Sequence, residues 1–208
     1  MEVILDGQSN YAVQGEPEDV FAVVASISDH LHEQGRVILS VKVDGQSIMP
    51  ADMVQKLEGA ATDEVRVIEV ESAAIADLVN TCLKELAEVL PELPKACQAM
   101  SEVFQGEAPE AGFEPFQQLA DIWHNVKSRE LQVINALGLD EDVLAVDGAP
   151  LAQTQEELNG YLAEAAEALE AGDFVSLGDL LAYELAPRAE KEEQIVAMLQ
   201  QHAREYAG

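Results

Sequence analysis

The spacing of apolar and polar residues changes once along the chain, near Ser72. Before it, Glu2 to Leu5 forms a short apolar run, Asp6-Gly7-Gln8-Ser9 is turn chemistry, and Tyr11, Ala12 and Val13 supply a returning strand. Pro17, with the acids Glu16, Glu18 and Asp19 beside it, starts a helix in which Val20, Val24, Ile27 and Leu31 recur at helical spacing as far as Gly35. Val37, Leu39, Val41 and Val43 then alternate with Ile38, Ser40 and Lys42, the pattern of a strand with one buried face. Asp44-Gly45 turns the chain into a short return at Ser47-Ile48. Pro50 and a weak helical turn through Met53, Val54 and Leu57 follow, and a last strand runs from Val65 to Val70.

That order of elements over residues 1–72 resembles the ubiquitin-like β-grasp fold, in which a small sheet wraps one helix. The resemblance implies a binding module more than a catalyst. A ferredoxin-like sheet is the alternative if Tyr11 to Val13 is loop. Ubiquitin-like modifiers carry a flexible tail ending in paired glycines, whereas Ser72 here opens a helix and the sequence closes Tyr206-Ala207-Gly208, so conjugation is not part of the expectation.

Residues 73–208 read as helical throughout. Ser72 caps a helix with the apolar face Ile75, Leu78, Val79, Cys82, Leu86, Val89 and Leu90, which Pro91 and Pro94 end or kink. The stripe resumes at Leu93, Cys97, Met100 and Phe104. A loop from Gly106 to Gly112 leads to a helix from Phe113 to Leu137 carrying Phe116, Leu119, Trp123, Val126, Val133 and Ile134 on one side. Residues 139–153 form a connection, and Thr154 with Glu157 makes a capping box for a helix that buries Leu158, Leu162, Ala165 and Leu169 and ends at Gly172. The last helical stretch begins after Ser176, capped with Asp179, and bends or breaks at Pro187. The fold class is thus α+β: a β-grasp-like domain over residues 1–72 followed by an acidic antiparallel bundle of four or five helices over residues 73–208.

Asp-Gly recurs inside Asp6-Gly7-Gln8-Ser9, Asp44-Gly45-Gln46-Ser47 and Asp147-Gly148, but the flanking residues do not align. Asp and Gly both tolerate positive φ, so the matches reflect turn chemistry without duplication.

Composition narrows the function. The 40 Asp and Glu against 11 Lys and Arg set a formal net charge of −29, which removes direct binding to nucleic-acid phosphates or anionic lipid as an expectation. Acids interrupt each apolar run well short of the roughly 20 residues a spanning helix needs. Two cysteines make no disulfide scaffold, and MEVILDGQ has no basic leader, so a reducing, bacterial-type cytoplasmic setting is expected.

Catalytic and cofactor motifs find no footing: the chain has no G-x-S-x-G, no Walker lysine loop and no G-x-G-x-x-G. His30 and His32 sit on different faces of one helix, His124 pairs in sequence with Asp121, and no Glu-x-x-His occurs at any of the four histidines. Asp140-Glu141-Asp142 fails as a calcium loop because Leu144 stands where a donor is required. Cys82 and Cys97 lie on apolar stripes and read as buried, inert thiols, and Trp123 as a core anchor. No catalytic, cofactor-binding or metal-ligating residue is assigned, and no cofactor is expected.

Charge distribution is the remaining feature. Between Arg129 and Arg188 there is no Lys or Arg. The candidate partner surface is Glu156, Glu157, Glu164, Glu167, Glu170, Asp173, Asp179 and Glu184, attracting a basic protein surface. The function expected is that of a non-catalytic adaptor or chaperone-like protein. The alternatives are a nucleic-acid mimic that occupies a DNA-binding protein's cleft, and an enzyme with an unrecognised site.

Overall fold

The computed structural model describes residues 1–9, 11–13 and 17–206. Glu16, placed among the acids at the first helix start, lies outside the described residues, as do Ala207 and Gly208. The chain divides into two compact units, Met1–Leu78 and Val79–Gly208.

In the first unit, strands β1 (Glu2–Leu5), β2 (Gln8–Ser9), β3 (Arg36–Val43), β4 (Gln46–Ile48) and β5 (Val67–Ala74) form one mixed sheet in the order β2-β1-β5-β3-β4. β1 and β5 run parallel, with Val3 opposite Ile68, and the other pairs are antiparallel. Helix α1 (Val20–Glu33) buries Val20, Val23, Val24, Ile27 and Leu31 in the core with Val3, Val41, Ile68 and Val70. A short helix α2 (Met53–Leu57) contributes Leu57. The unit is thus a five-stranded mixed sheet with one principal helix.

Asp-Gly chemistry explains much of the sheet's connectivity. Asp6-Gly7, Asp44-Gly45 and Asp147-Gly148 all have positive φ at both residues, the backbone of a two-residue hairpin turn. A turn that tight starts the return at Gln8, so Tyr11–Val13, expected as the second strand, is not a strand. Tyr11 still donates its N–H to the Val3 carbonyl at 3.3 Å, and the sheet keeps its order because Gln8–Ser9 fills the second-strand position.

The two turn aspartates also pin β5. Asp44 Oδ1 accepts the N–H groups of Arg66 and Val67, and Asp6 accepts from the Ser72 N–H at 2.7 Å and the Ser72 hydroxyl at 2.7 Å. Arg36 completes that second clamp, giving Nη2 to Asp6 and Nε to the Ser72 hydroxyl. The Ser72 hydroxyl bond chiefly, with the Ser72 amide and Arg36 assisting, holds the Asp6 carboxyl below its ordinary pKa. Ser72 is therefore not the cap expected of it: β5 continues to Ala74, and Ile75 opens the next helix by donating to the Gly35 carbonyl. The boundary expected at Ser72 falls inside β5, and the division into compact units falls later, within helix α3 (Ile75–Val89).

A second departure lies in β3. The register against β5 shifts between Ile38 and Ser40, so Leu39 is the additional residue of a β-bulge. It is 54% exposed, while Ile38 packs on the core, which reverses the alternation expected there.

The second unit contains the rest of α3, α4 (Leu93–Phe104), α5 (Phe113–Ala136), a two-residue hairpin of β6 (Ala145–Val146) and β7 (Ala149–Pro150), α6 (Leu151–Ala171), α7 (Phe174–Asp179), a π-helical turn (Leu180–Leu185) and α8 (Ala186–Tyr206). Leu83, Leu90, Leu93, Phe104, Trp123 and Leu158 are among its fully buried side chains. Two expected caps are displaced. α6 begins at Leu151, directly after the hairpin, and Thr154 is buried inside it with its hydroxyl donating back to the Leu151 carbonyl at 2.8 Å. Asp173, not Ser176, caps α7, accepting from the Ser176 N–H at 3.1 Å.

Phe104 is the pivot of an aromatic cluster, stacked on Phe174 with centroids 6.0 Å apart and edge-on to Phe116 at 5.9 Å. Gly112 lets α5 start against it: a Cβ there would stand 2.8 Å from Phe104 Cζ. Gly112→Ala is expected to lower stability by about 1–3 kcal/mol, the usual cost of overpacking, read as a lower urea midpoint. An unchanged midpoint would mean that the Phe104 ring moves aside freely.

Candidate functional site in the helical unit

Two features of the second unit bear on function: a charge cluster inside it and the acidic surface outside it. The inner cluster was not anticipated from sequence. Glu130 and Glu192 are fully buried, Arg188 is 3% exposed, and the Lys127 side chain is 15% exposed. Lys127 Nζ bridges the two carboxyl groups, bonding Glu130 Oε2 and reaching Glu192 Oε2 at 3.2 Å. Arg188 Nη1 lies 2.7 Å from Glu192 Oε1, and its Nη2 donates to the Thr154 carbonyl of α6 at 3.2 Å.

A signal for it existed. Glu130 stands between Val126 and Val133 at the spacing of the buried stripe on α5, and Glu192 occupies the same kind of position between Ala189 and Ile195 on α8. A carboxylate on an apolar stripe asks for a cation one turn away. Lys127 provides it from three residues before Glu130, and Arg188 from four residues before Glu192.

Burial, followed by repulsion from Glu192, pushes the Glu130 pKa up to about 8, against the pull of Lys127. Glu130 Oε1 has no donor in the structure, so as a carboxylate it is left unsatisfied. A proton on Glu130 lets it donate to the Glu192 carboxylate. Both carboxyl groups are fully buried, so the proton is held in the interior of the unit.

The thiols are less eventful. Cys97 is buried, and desolvation pushes its pKa up to about 11, although the Trp123 indole N–H beside it works the other way. Cys82 is half-buried, its pKa also raised by burial. Trp123 itself is fully buried. No group of three or more His, Cys, Asp or Glu is placed to hold a metal ion among the described residues, and none of the described helices is long and apolar enough to cross a membrane.

The expected partner residues fall into two sets. Glu156, Glu157, Glu164, Glu167 and Glu170 are exposed on the side of α6 opposite Leu151, Leu158 and Ala165. Asp173, Asp179 and Glu184 lie beyond α6 and have tasks within the chain. Asp173 is the α7 cap, with its pKa lowered by the Ser176 amide and hydroxyl, and Asp179 accepts from Gln105 Nε2 at 2.8 Å. Glu184 is half-buried beside Tyr161, whose hydroxyl pKa is raised chiefly by its interaction with the Glu184 carboxylate, then by burial and by the charges of Glu184, Glu157 and Glu164. Large apolar side chains stand exposed on the same α7 and π-helical segment, Val175 at 67% and Tyr183 at 71%.

Residues 81–195, more than half of the chain, match a family model described as Domain of unknown function (DUF8042). The chain belongs to that family. No curated protein and no solved structure matches it. The DUF8042 segment includes Lys127, Glu130, Thr154, Arg188 and Glu192, and also the whole acidic face of α6. Both features thus sit in the part of the chain that defines its family.

The pH dependence of stability follows from Glu130. Its folded pKa is raised above that of an exposed Glu, so the native state holds the proton more tightly than the unfolded state. Its contribution is complete below the unfolded pKa and is lost as pH rises through the folded value of about 8. Urea midpoints are expected to fall between about pH 5 and pH 8. Glu130→Gln, neutral at every pH, should flatten that slope; an equal slope in parent and variant would place the titration elsewhere.

Proposed function

We propose that the chain is a non-catalytic protein-binding adaptor or chaperone-like protein whose acidic helical face recruits a basic surface. The observation that carries this reading is the single-signed face of α6: five exposed glutamates opposite the buried stripe, in a segment with no Lys or Arg from Glu130 to Pro187. A solubilising surface can intersperse both signs, whereas this segment carries only one. The exposed Val175 and Tyr183 on the following segment add apolar anchors of the kind that carry affinity, while the carboxylates steer and orient. A cytoplasmic setting goes with this reading, since Cys82 and Cys97 are both free thiols.

Capture on the immobilised full-length protein, from cells that make it, tests the proposal against a variant with Glu164, Glu167 and Glu170 all changed to Lys. These residues are exposed and lysine keeps helix propensity, so the variant should fold. A defined basic protein should bind the parent, associate more slowly with the variant, and dissociate as salt shortens the Debye length below its roughly 8 Å at physiological strength. Equal binding of one partner by parent and variant would make the acidic face a solubility device. If the captured protein binds DNA and the chain competes with that DNA, the mimic reading replaces the adaptor.

A further inference from the structure

A cavity of about 490 Å³ lies in the first unit between α1 and β3. Its wall includes four consecutive strand residues, Val37, Ile38, Leu39 and Ser40. Successive side chains of a strand point to opposite faces, so a cavity on one face would meet alternate residues. Contact with all four places the opening along the edge of the strand, where backbone as well as side chains is accessible.

That edge is unpaired. β4 joins β3 at Val41, Lys42 and Val43 and stops, which leaves Arg36–Ser40 without a strand on that side among the described residues. Such an edge presents a row of outward N–H and C=O groups. The bulge in this edge brings the apolar side chain of Leu39 to the surface. Across the opening, α1 offers Ala25, Ser28 and Asp29.

We propose that this edge binds an extended segment of a partner protein as an added strand, its apolar side chains in the groove and a Lys or Arg beside Asp29. The backbone row calls for a strand, and the apolar wall calls for alternating hydrophobic residues. Charge selects between a foreign segment and a second copy of the same edge. Acids far outnumber Arg36, Lys42, Lys56 and Arg66, the four cations of residues 1–78, and Arg36 and Lys56 are bonded to Asp6 and Asp52. Asp29 has no ion-pair partner among the described residues. A second copy would meet like charge, while a segment flanked by Lys or Arg is attracted. This edge shares no residue with the acidic face of α6 and stands or falls independently of it.

The test is selection from a displayed library of random peptides about a dozen residues long against the full chain, followed by hydrogen exchange with the enriched peptides. Enriched sequences should alternate apolar residues between basic flanks, lack an interior proline, and protect the amides of Val37–Ser40 from exchange. Ser28 and Asp29 are exposed helix positions, so changing them leaves the core intact. Ser28→Trp, which fills the groove, should abolish that protection. Asp29→Lys should weaken binding about fivefold, the range of a partly screened ion pair. The proposal is overturned if no such peptides are enriched, if they protect amides elsewhere, or if Ser28→Trp binds them as the parent does. Self-association that Ser28→Trp abolishes would also overturn it, because the occupant would then be a second copy.

Discussion

The helical unit is organised around charges that water cannot reach. Taking Glu130, Glu192 and Arg188 into the interior is costly, and the cost is offset only if each meets its partner at bonding distance. That requirement ties three helices together: Lys127 and Glu130 belong to α5, Arg188 and Glu192 to α8, and Arg188 also bonds the Thr154 carbonyl of α6. Apolar side chains alone tolerate sliding and rotation, because one leucine contact resembles another. An ion cluster does not, since removing or misplacing one partner of a buried pair typically costs about 3–5 kcal/mol. The acidic face of α6 inherits its orientation from this arrangement, because the same helix carries Thr154 inward and Glu164 outward.

In the first unit the equivalent constraint is β5, which is paired on both sides and clamped near both ends. Asp44 holds its beginning and Asp6, with Arg36 and Ser72, holds its far part. Both aspartates have positive φ, and both serve as turn residue and clamp together. With β5 fixed, β3 is fixed against it, and the shortness of β4 then leaves part of the β3 edge open.

How much of this could be read from residues alone varied with how local the cause was. The body and end of α1 followed from the Val20–Leu31 periodicity and Gly35, although the helix opens after Asp19 and not at Pro17, and the Asp-Gly pairs announced their turns, because these signals act within a few residues. The five-stranded sheet with its single main helix followed from the order of elements. Three things depended on distant partners and were misread or missed. Ser72 looked like a helix cap until Asp6 and Arg36, far away in sequence, claimed its hydroxyl. Leu39 looked buried because a bulge is a property of the pairing with β5, not of β3 by itself. Glu130 and Glu192 were hidden among 40 acids, although their places on apolar stripes set them apart. The exposed glutamates of α6 were placed correctly as a helical face because the opposite leucines mark the buried side.

The π-helical turn carries a consequence of its own. Within Leu180–Leu185 the backbone closes over five residues, as the Ala186 N–H donating to the Leu181 carbonyl shows, and Pro187, which cannot donate, follows at once. An α-helix turns about 100° per residue, and the wider turn takes up one additional residue without rotating the helix that follows it. Leu181, Leu185, Arg188 and Glu192 keep the spacing of four, three and four residues that puts all of them on one inward face. Deleting one residue from that turn would let it close as an ordinary α-helical turn, with Arg188 and Glu192 still carried toward Lys127 and Glu130. The wide turn is thus the place where this helix absorbs a change of length, whereas beyond Arg188 a deletion would turn Glu192 about 100° off the buried stripe.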